Sequence, residues 1–210
     1  MTVVQRINGG LRRVPAWPVY GLGFGWMGWL FYMGIGGRLG PEPVETLEHL
    51  YGELALQLLV LGLAVTPLRR FTGVSLMKFR RQIGLMAFYF LTAHVLVWAV
   101  LDVQSLSRVW ADIVERPYIT IGMAGLLALV PLALTSNNYA IRKLGPLRWR
   151  KLHRLAYPAV LLGALHYIWL VKGFEIEPLL YAGVIVLLLL LRVDAGRART
   201  VLGAGASFGR

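Results

Sequence analysis

One stretch decides the fold: Lys151-Leu-His-Arg-Leu-Ala-Tyr-Pro-Ala-Val-Leu-Leu-Gly-Ala-Leu-His-Tyr-Ile-Trp169. It is an apolar segment long enough to cross a bilayer, yet it carries a histidine near each end, His153 and His166. An imidazole inside hydrocarbon is costly unless something binds it, so an ionisable residue within a span indicates a functional site. A third histidine, His94, lies in a second apolar segment, residues 84–98. The chemistry of this chain therefore depends on what these histidines bind.

The composition is that of a polytopic membrane protein. The chain has 210 residues, is 57% hydrophobic and has a mean hydropathy of +0.62. Several apolar runs are about 20 residues long, which is the length that crosses the hydrocarbon core. The first of them is too long for the core of a signal peptide and no small-residue cleavage site follows it, so we expect it to be retained.

Charge and cysteine content exclude several classes of function. Without cysteine the chain forms no disulfide, thioether-linked haem, iron–sulfur cluster or thiolate metal site. Metal chemistry must then rest on four histidines and ten carboxylates. The formal charge of +12 does not indicate a nucleic-acid partner, because the basic residues are divided among loops and do not form one soluble face.

The predicted fold class is an all-α integral membrane protein with six transmembrane helices. We place the spans near residues 17–36, 47–68, 82–101, 118–135, 152–171 and 176–193. All basic residues except Arg38, Arg108, Arg116 and Lys172 then fall on one side, together with both termini. By the positive-inside rule that side is cytoplasmic.

Three regions follow from these spans. Residues 1–16 form a cytoplasmic N-terminal segment, residues 17–193 form the transmembrane domain, and residues 194–210 form a cytoplasmic tail that lacks an apolar period. We expect the tail to be disordered. Most of the acidic residues fall in or beside the loops of the opposite side, where they either fill polar loops or form a docking surface.

The string Gly23-Phe-Gly-Trp-Met-Gly28 resembles a dinucleotide-binding fingerprint, but that signal has meaning only between a strand and a helix. Here it lies within a membrane helix. Close helix packing is the better interpretation, because Gly21 and Gly25 also form a G-x-x-x-G pair. No nicotinamide site is therefore predicted, and electrons must arrive by another route.

Depth in the membrane pairs His94 with His166. Counting from the cytoplasmic side at the rise of an α-helix, His94 lies about 18 Å along its span and His166 about 21 Å along its own. Two neutral imidazoles at one level on neighbouring helices are typical of a b-type haem with two histidine ligands. Such a haem has both axial positions filled, which favours electron transfer over oxygen chemistry.

His153 lies at the inner end of the same helix, about 20 Å from His166. The opposite span offers only Arg80, Arg81 and Gln82 at that level, so a second haem lacks one histidine. Three alternatives remain open: a singly ligated haem, a different redox group such as a flavin, or a plain interfacial histidine. A zinc site built from three histidines is less well supported because the depths differ.

Four arginines surround this inner level, namely Arg80, Arg81, Arg150 and Arg154. They either satisfy the orientation rule alone or bind a carboxylate or phosphate, as a haem propionate or a flavin phosphate would require. Pro131 and Pro158 lie inside spans and are expected to kink them.

Several motifs together resemble the MsrQ family, formerly called YedZ. They are Arg80-Arg-Gln-Ile-Gly-Leu-Met-Ala-Phe88, His94, Arg116-Pro-Tyr-Ile-Thr-Ile-Gly122, Leu134-Thr-Ser136, Lys143-Leu-Gly145, Trp149-Arg-Lys-Leu-His153 and His166-Tyr-Ile-Trp169. The resemblance covers about residues 15–193. It implies a ferric-reductase-like haem-binding bundle in the inner membrane, without the cytosolic flavin and nicotinamide domains of larger relatives.

The resemblance further implies an electron-transfer subunit of an oxidoreductase system. Its family takes electrons from the quinone pool, or from a cytosolic flavin reductase, and passes them through haem b to a periplasmic molybdopterin enzyme that reduces methionine sulfoxide in oxidised proteins. The family's three histidines carry over onto His94, His153 and His166 as metal ligands, and FMN is associated with the family. The alternatives are a stand-alone ferric or quinone reductase without a protein acceptor and a non-redox chaperone or transporter subunit.

Overall fold

A computed structural model describes residues 2–171 and 175–192. Every regular element within these ranges is helical, which confirms the all-α fold class. The α-helices are α1 (Val3–Arg13), α2 (Pro18–Ile35), α3 (Pro43–Thr72), α4 (Arg80–Leu96), α5 (Leu106–Glu115), α6 (Pro117–Leu134), α7 (Asn138–Leu152), α8 (Ala156–Leu170) and α9 (Ile176–Leu190). A 3₁₀ turn (Met77–Phe79) precedes α4, a π-helical turn (Val97–Asp102) follows it, and a second 3₁₀ turn (His153–Leu155) precedes α8.

Each predicted span coincides with a helix of the structure. Three helical segments are long and apolar enough to cross a membrane: Pro43–Thr72, Met77–Asp102 and Pro117–Leu134. The other three predicted spans correspond to α2, α8 and α9, so the count of six crossings stays a prediction. The predicted tail, residues 194–210, lies outside the described residues.

Three helices lie in segments that the sequence pattern assigned to polar loops. In α1 the Thr2 side chain accepts from the backbone of Gln5 while the Gln5 side chain accepts from Thr2 N–H, a capping box that starts the helix. In α5 and α7 the apolar residues are too few to form a span. Helix α7 also breaks at Gly145, whose φ of 75° is a conformation that glycine adopts without strain.

Helix α3 is the centre of the bundle, because it packs against α2, α4, α8 and α9. One core cluster joins α2, α3 and α4 through Leu30, Tyr51 and Met86. A second joins α3, α8 and α9 through residues that include Val160 and Ile185. Helix α6 completes the bundle by packing against α4 and α8.

The glycine contact between helices differs from the one expected. A Cβ atom on Gly23 would clash with Met86 of α4, so Gly23 is the residue that lets α2 approach. The predicted packing pair Gly21 and Gly25 is wrong in this respect, since a Cβ on Gly25 would meet nothing within 4 Å and one on Gly21 only Trp17 of the preceding turn. Which glycine faces the neighbour depends on the rotation of α2, and a spacing motif does not fix that rotation.

Pro67 and Arg192 form an interaction at the end of the bundle that is predicted to be cytoplasmic. Because proline has no N–H, Pro67 within α3 leaves the carbonyl of Leu63 without its helical donor. Arg192, just after α9, donates to Leu63 O from Nε at 3.2 Å and also from Nη2. Its Nη1 donates to the Tyr157 hydroxyl at 3.1 Å. Arg192 therefore fastens α9 to α3 and α8, in addition to any part it plays in the orientation rule.

We predict that Arg192→Met destabilises the protein, because the substitution leaves the Leu63 carbonyl without a donor. A lost hydrogen bond to a charged group, with its buried partner left unpaired, costs about 2–3 kcal/mol. We expect a melting temperature about 5–10 °C lower in a detergent-solubilised thermal unfolding experiment. Arg148→Met, at an exposed position of α7, is the matched control. Equal melting temperatures for the two variants would contradict this role.

The predicted topology is testable because the chain has no cysteine of its own. Ser107→Cys in α5 and Asn138→Cys in α7 each introduce a single thiol at an exposed position. A membrane-impermeant maleimide applied to spheroplasts should label the first variant and not the second, and both should react after the membrane is disrupted. Labelling of both thiols in spheroplasts would contradict the six-span arrangement.

Candidate functional site

The rings of His94 and His166 face each other across the bundle. His94 is on α4 and His166 is on α8, their ring centroids are 6.3 Å apart, and their planes are inclined by 77°. The sequence predicted that these residues share one level, and in the structure the two side chains meet; their role as haem ligands stays a prediction. They lie at the end of the bundle that carries α5 and the start of α9, opposite to α7 and Arg192.

Both rings are oriented by a backbone carbonyl of a neighbouring helix. His94 Nδ1 lies 2.9 Å from the carbonyl oxygen of Glu48 in α3, and His166 Nδ1 lies 2.7 Å from that of Tyr118 in α6. A carbonyl oxygen only accepts, so each Nδ1 must carry the proton and donate it. Each Nε2 is therefore the unprotonated nitrogen with a free lone pair, as in histidines that bind a metal.

A glycine backs each ring at the same relative position. A Cβ atom on Gly52 would lie 3.0 Å from His94 Nδ1, and one on Gly122 would lie 2.9 Å from His166 Nδ1. Each glycine follows the accepting residue by four positions, from Glu48 to Gly52 and from Tyr118 to Gly122. Because the glycine lies against the Nδ1 side of the ring, Nε2 points away from it. The same arrangement of histidine, carbonyl and glycine thus occurs twice, between α4 and α3 and between α8 and α6.

The geometry fits a haem iron held between the two Nε2 atoms. A ring nitrogen lies about 1.1 Å from the centroid and a metal–imidazole bond is about 2 Å long, so collinear ligation separates the centroids by about 6 Å. The observed separation of 6.3 Å agrees. Binding to this chain would be non-covalent, since it has no cysteine.

His153 is in a different environment, at the other end of α8. Its ring stacks on Trp149 with the centroids 3.7 Å apart. Its Nδ1 lies 3.1 Å from Trp149 O, and its Nε2 lies 3.4 Å from Ser136 Oγ. The Trp149 indole donates to Thr135 O at 2.8 Å. Both nitrogens of His153 thus face protein atoms, and its predicted role as a ligand stays a prediction.

The four predicted arginines divide into two pairs. Arg80 and Arg81 at the start of α4 are half-buried, whereas Arg150 and Arg154 are exposed. Arg80 lies close enough to His153 and Arg192 to act on both electrostatically. Within residues 2–171 and 175–192 the one ion pair is Arg116 with Asp112, so none of the four is neutralised by a described carboxylate.

Sequence reasoning missed the residues that orient the histidines. Gly52, Gly122 and the carbonyls of Glu48 and Tyr118 carry no chemical signature that separates them from other span residues. Glu53 was also missed, although a carboxylate within an apolar span is itself a signal. It forms a polar group with Gln57 and Tyr181.

The family described as ferric reductase like transmembrane component matches residues 51–164. A curated relative from Brucella anthropi, the protein-methionine-sulfoxide reductase heme-binding subunit MsrQ, is 49% identical over 184 residues, which is 87% of this chain and 83% of the relative. The protein of the same name from Brucella ovis is 49% identical over 185 residues, or 88% and 84% of the two chains. No solved structure matches.

We predict that Gly52→Ala and Gly122→Ala weaken cofactor binding, because the added methyl group forces the histidine ring or its helix to move by a few tenths of an ångström. Changes to the groups that orient a metal ligand typically cost about 10- to 100-fold in affinity. The haem-to-protein ratio of the purified variants, measured as the pyridine haemochrome, should fall. Gly84→Ala, with open space at its Cβ position, is the control. Wild-type ratios in both site variants would contradict the role of these glycines.

Proposed function

Because this chain belongs to the MsrQ family of ferric-reductase-like transmembrane proteins, we propose that it is a membrane b-type cytochrome. It passes electrons from the quinone pool or a cytosolic flavin reductase to a periplasmic molybdopterin methionine sulfoxide reductase, for the repair of oxidised proteins. It is the electron-transfer subunit of that system, placed in the bacterial inner membrane.

One observation carries the proposal, namely the His94–His166 pair with its ring centroids 6.3 Å apart. The Nε2 atoms of these residues would hold the haem iron. Bound haem would supply a one-electron carrier. The carbonyls of Glu48 and Tyr118 keep the proton on each Nδ1, which fixes the ring orientation and increases the basicity of Nε2.

The position of the pair supports an acceptor on the outer side. His166 lies four residues before the end of α8 at Leu170, and His94 precedes the π-helical turn that ends at Asp102. The loops and helix ends at this end of the bundle carry Glu42, Glu45, Asp112, Glu115, Glu175 and Glu177. This acidic end is the surface at which we place the soluble reductase.

The residues at the predicted inner end give less direct support for a second cofactor site. The half-buried Arg80 lies close enough to His153 to act on it electrostatically. Arg81 follows Arg80 in the chain, and the exposed Arg150 and Arg154 flank His153 in sequence. Guanidinium groups suit a carboxylate or phosphate, so this end is where we place a haem propionate or the phosphate of FMN. An electron from a cytosolic flavin reductase would enter here.

The histidine assignment is tested by reduced-minus-oxidised spectra of the purified protein. His94→Ala and His166→Ala each remove an axial ligand, so we expect the b-type absorbance change to fall by at least about tenfold. His153→Ala should retain this outer signal, and His49→Ala, at an exposed position of α3, is the control.

Two results would contradict the assignment. Loss of the b-type signal in His153→Ala, with retention in His94→Ala, would move the haem to the inner end. A wild-type protein without any b-type absorbance change would remove haem from the proposal altogether.

A further inference from the structure

A polar group of three residues lies between α3 and α9, beside the histidine pair. Gln57 Nε2 donates to Glu53 Oε1 at 2.6 Å and to the Tyr181 hydroxyl oxygen at 2.9 Å. The Tyr181 hydroxyl donates to Glu53 Oε1 at 3.3 Å. The three side chains thus form a closed triangle that joins two membrane helices.

Polar side chains at this position cost free energy, because they lie within a membrane span. Glu53 is ten residues into α3, about 15 Å from its start, within a segment that is apolar enough to span a membrane. In the part of the chain that the structure describes, Glu53 forms no ion pair, and its second carboxylate oxygen accepts no hydrogen bond. A carboxylate at such a position is by default functional.

The triangle is also accessible from the lipid. The side chain of Gln57 is exposed on the surface of α3. One turn further along the same helix, Leu61 is 42% exposed, and on α9 Leu180 is 59% exposed. A ligand that reaches these polar atoms through such surroundings must itself be soluble in hydrocarbon.

Two chain neighbours connect the triangle to the haem ligands. Glu53 directly follows Gly52, whose Cα backs the ring of His94. Tyr167 directly follows His166, and its ring centroid lies 6.2 Å from that of Tyr181. A molecule held by the triangle would therefore lie next to α8, which delivers His166, and one residue along α3 from the glycine that backs His94.

We propose that Glu53, Gln57 and Tyr181 bind the head group of a membrane quinol and that this is the entry point of its electrons. The inference rests on the proposed function, because it takes the quinone pool as the donor. A quinol hydroxyl donates to the second carboxylate oxygen of Glu53, which accepts no hydrogen bond from the described residues. The Tyr181 hydroxyl exchanges its donation to Glu53 Oε1, the longest contact of the triangle at 3.3 Å, for a donation to the head-group oxygen of the quinone. The apolar chain of the quinol lies along the exposed leucines.

Oxidation of one quinol to the quinone releases two electrons and two protons. The electrons leave one at a time, and haem held by His94 and His166 would supply the one-electron acceptor that passes each of them on before the next arrives. Each proton goes in turn to the carboxylate of Glu53. Glu175 and Glu177 lie at the start of α9, the helix that carries Tyr181.

The experiment uses the purified full-length protein with haem bound and decylubiquinol as the probe. Tyr181→Phe removes a donor from the head group, so we expect decylubiquinone binding, measured by quenching of tryptophan fluorescence, to weaken about tenfold. Glu53→Gln keeps the shape but takes up no proton. It should bind the quinone within about threefold of wild type and reduce haem with decylubiquinol at least about tenfold more slowly.

Dithionite and a control variant separate the outcomes. Both variants should give the wild-type b-type spectrum with dithionite, and Tyr89→Phe, at an exposed position of α4, should match wild type in every assay. Wild-type binding in Tyr181→Phe together with wild-type rates in Glu53→Gln would overturn the site. If dithionite reduces the wild-type protein but decylubiquinol does not, the quinol inference is overturned and the haem assignment stands. If the wild-type protein shows no b-type spectrum with dithionite, the proposed function itself is overturned.

Discussion

The hydrogen bond from each histidine ring to a helix carbonyl is the interaction on which the site depends. A helix carbonyl already accepts from the N–H four residues later, and it can accept a second donor only if the side chain at that later position leaves room. At Gly52 and Gly122 no side chain intervenes, so the rings of His94 and His166 reach the carbonyls of Glu48 and Tyr118. Ring, carbonyl and glycine therefore form one unit, which fixes the tautomer and turns Nε2 away from the glycine.

The same constraint shapes the rest of the bundle, because polar groups in hydrocarbon need partners within the protein. The Tyr51 hydroxyl, in the core between α2 and α4, donates to Met27 O at 2.7 Å. The carbonyl that Pro67 leaves without a donor receives the guanidinium of Arg192. Each such contact joins two helices, so the satisfaction of buried polar atoms also sets how the helices pack.

The sequence was sufficient for those features that depend on position along a helix. Hydropathy located the spans, and a constant rise per residue placed His94 and His166 at one level. It was not sufficient for features that depend on helix rotation, such as the contact of Gly23 with Met86 or the choice of Glu48 as an acceptor. Helices α5 and α7 were missed because a short amphipathic helix and a polar loop have similar composition.

The two ends of α8 differ in how free their histidine nitrogens are to bind a metal. At the inner end, His153 is held by Trp149 and Ser136, and ligation through Nε2 would displace the serine contact. At the other end, predicted to be the outer one, each Nε2 has no hydrogen-bond partner among the described residues, and a lipid-exposed polar group lies near the pair. An electron entering there avoids the roughly 20 Å that separate the two ends of the helix. The proposed entry of electrons beside the pair is therefore the shorter of the two routes.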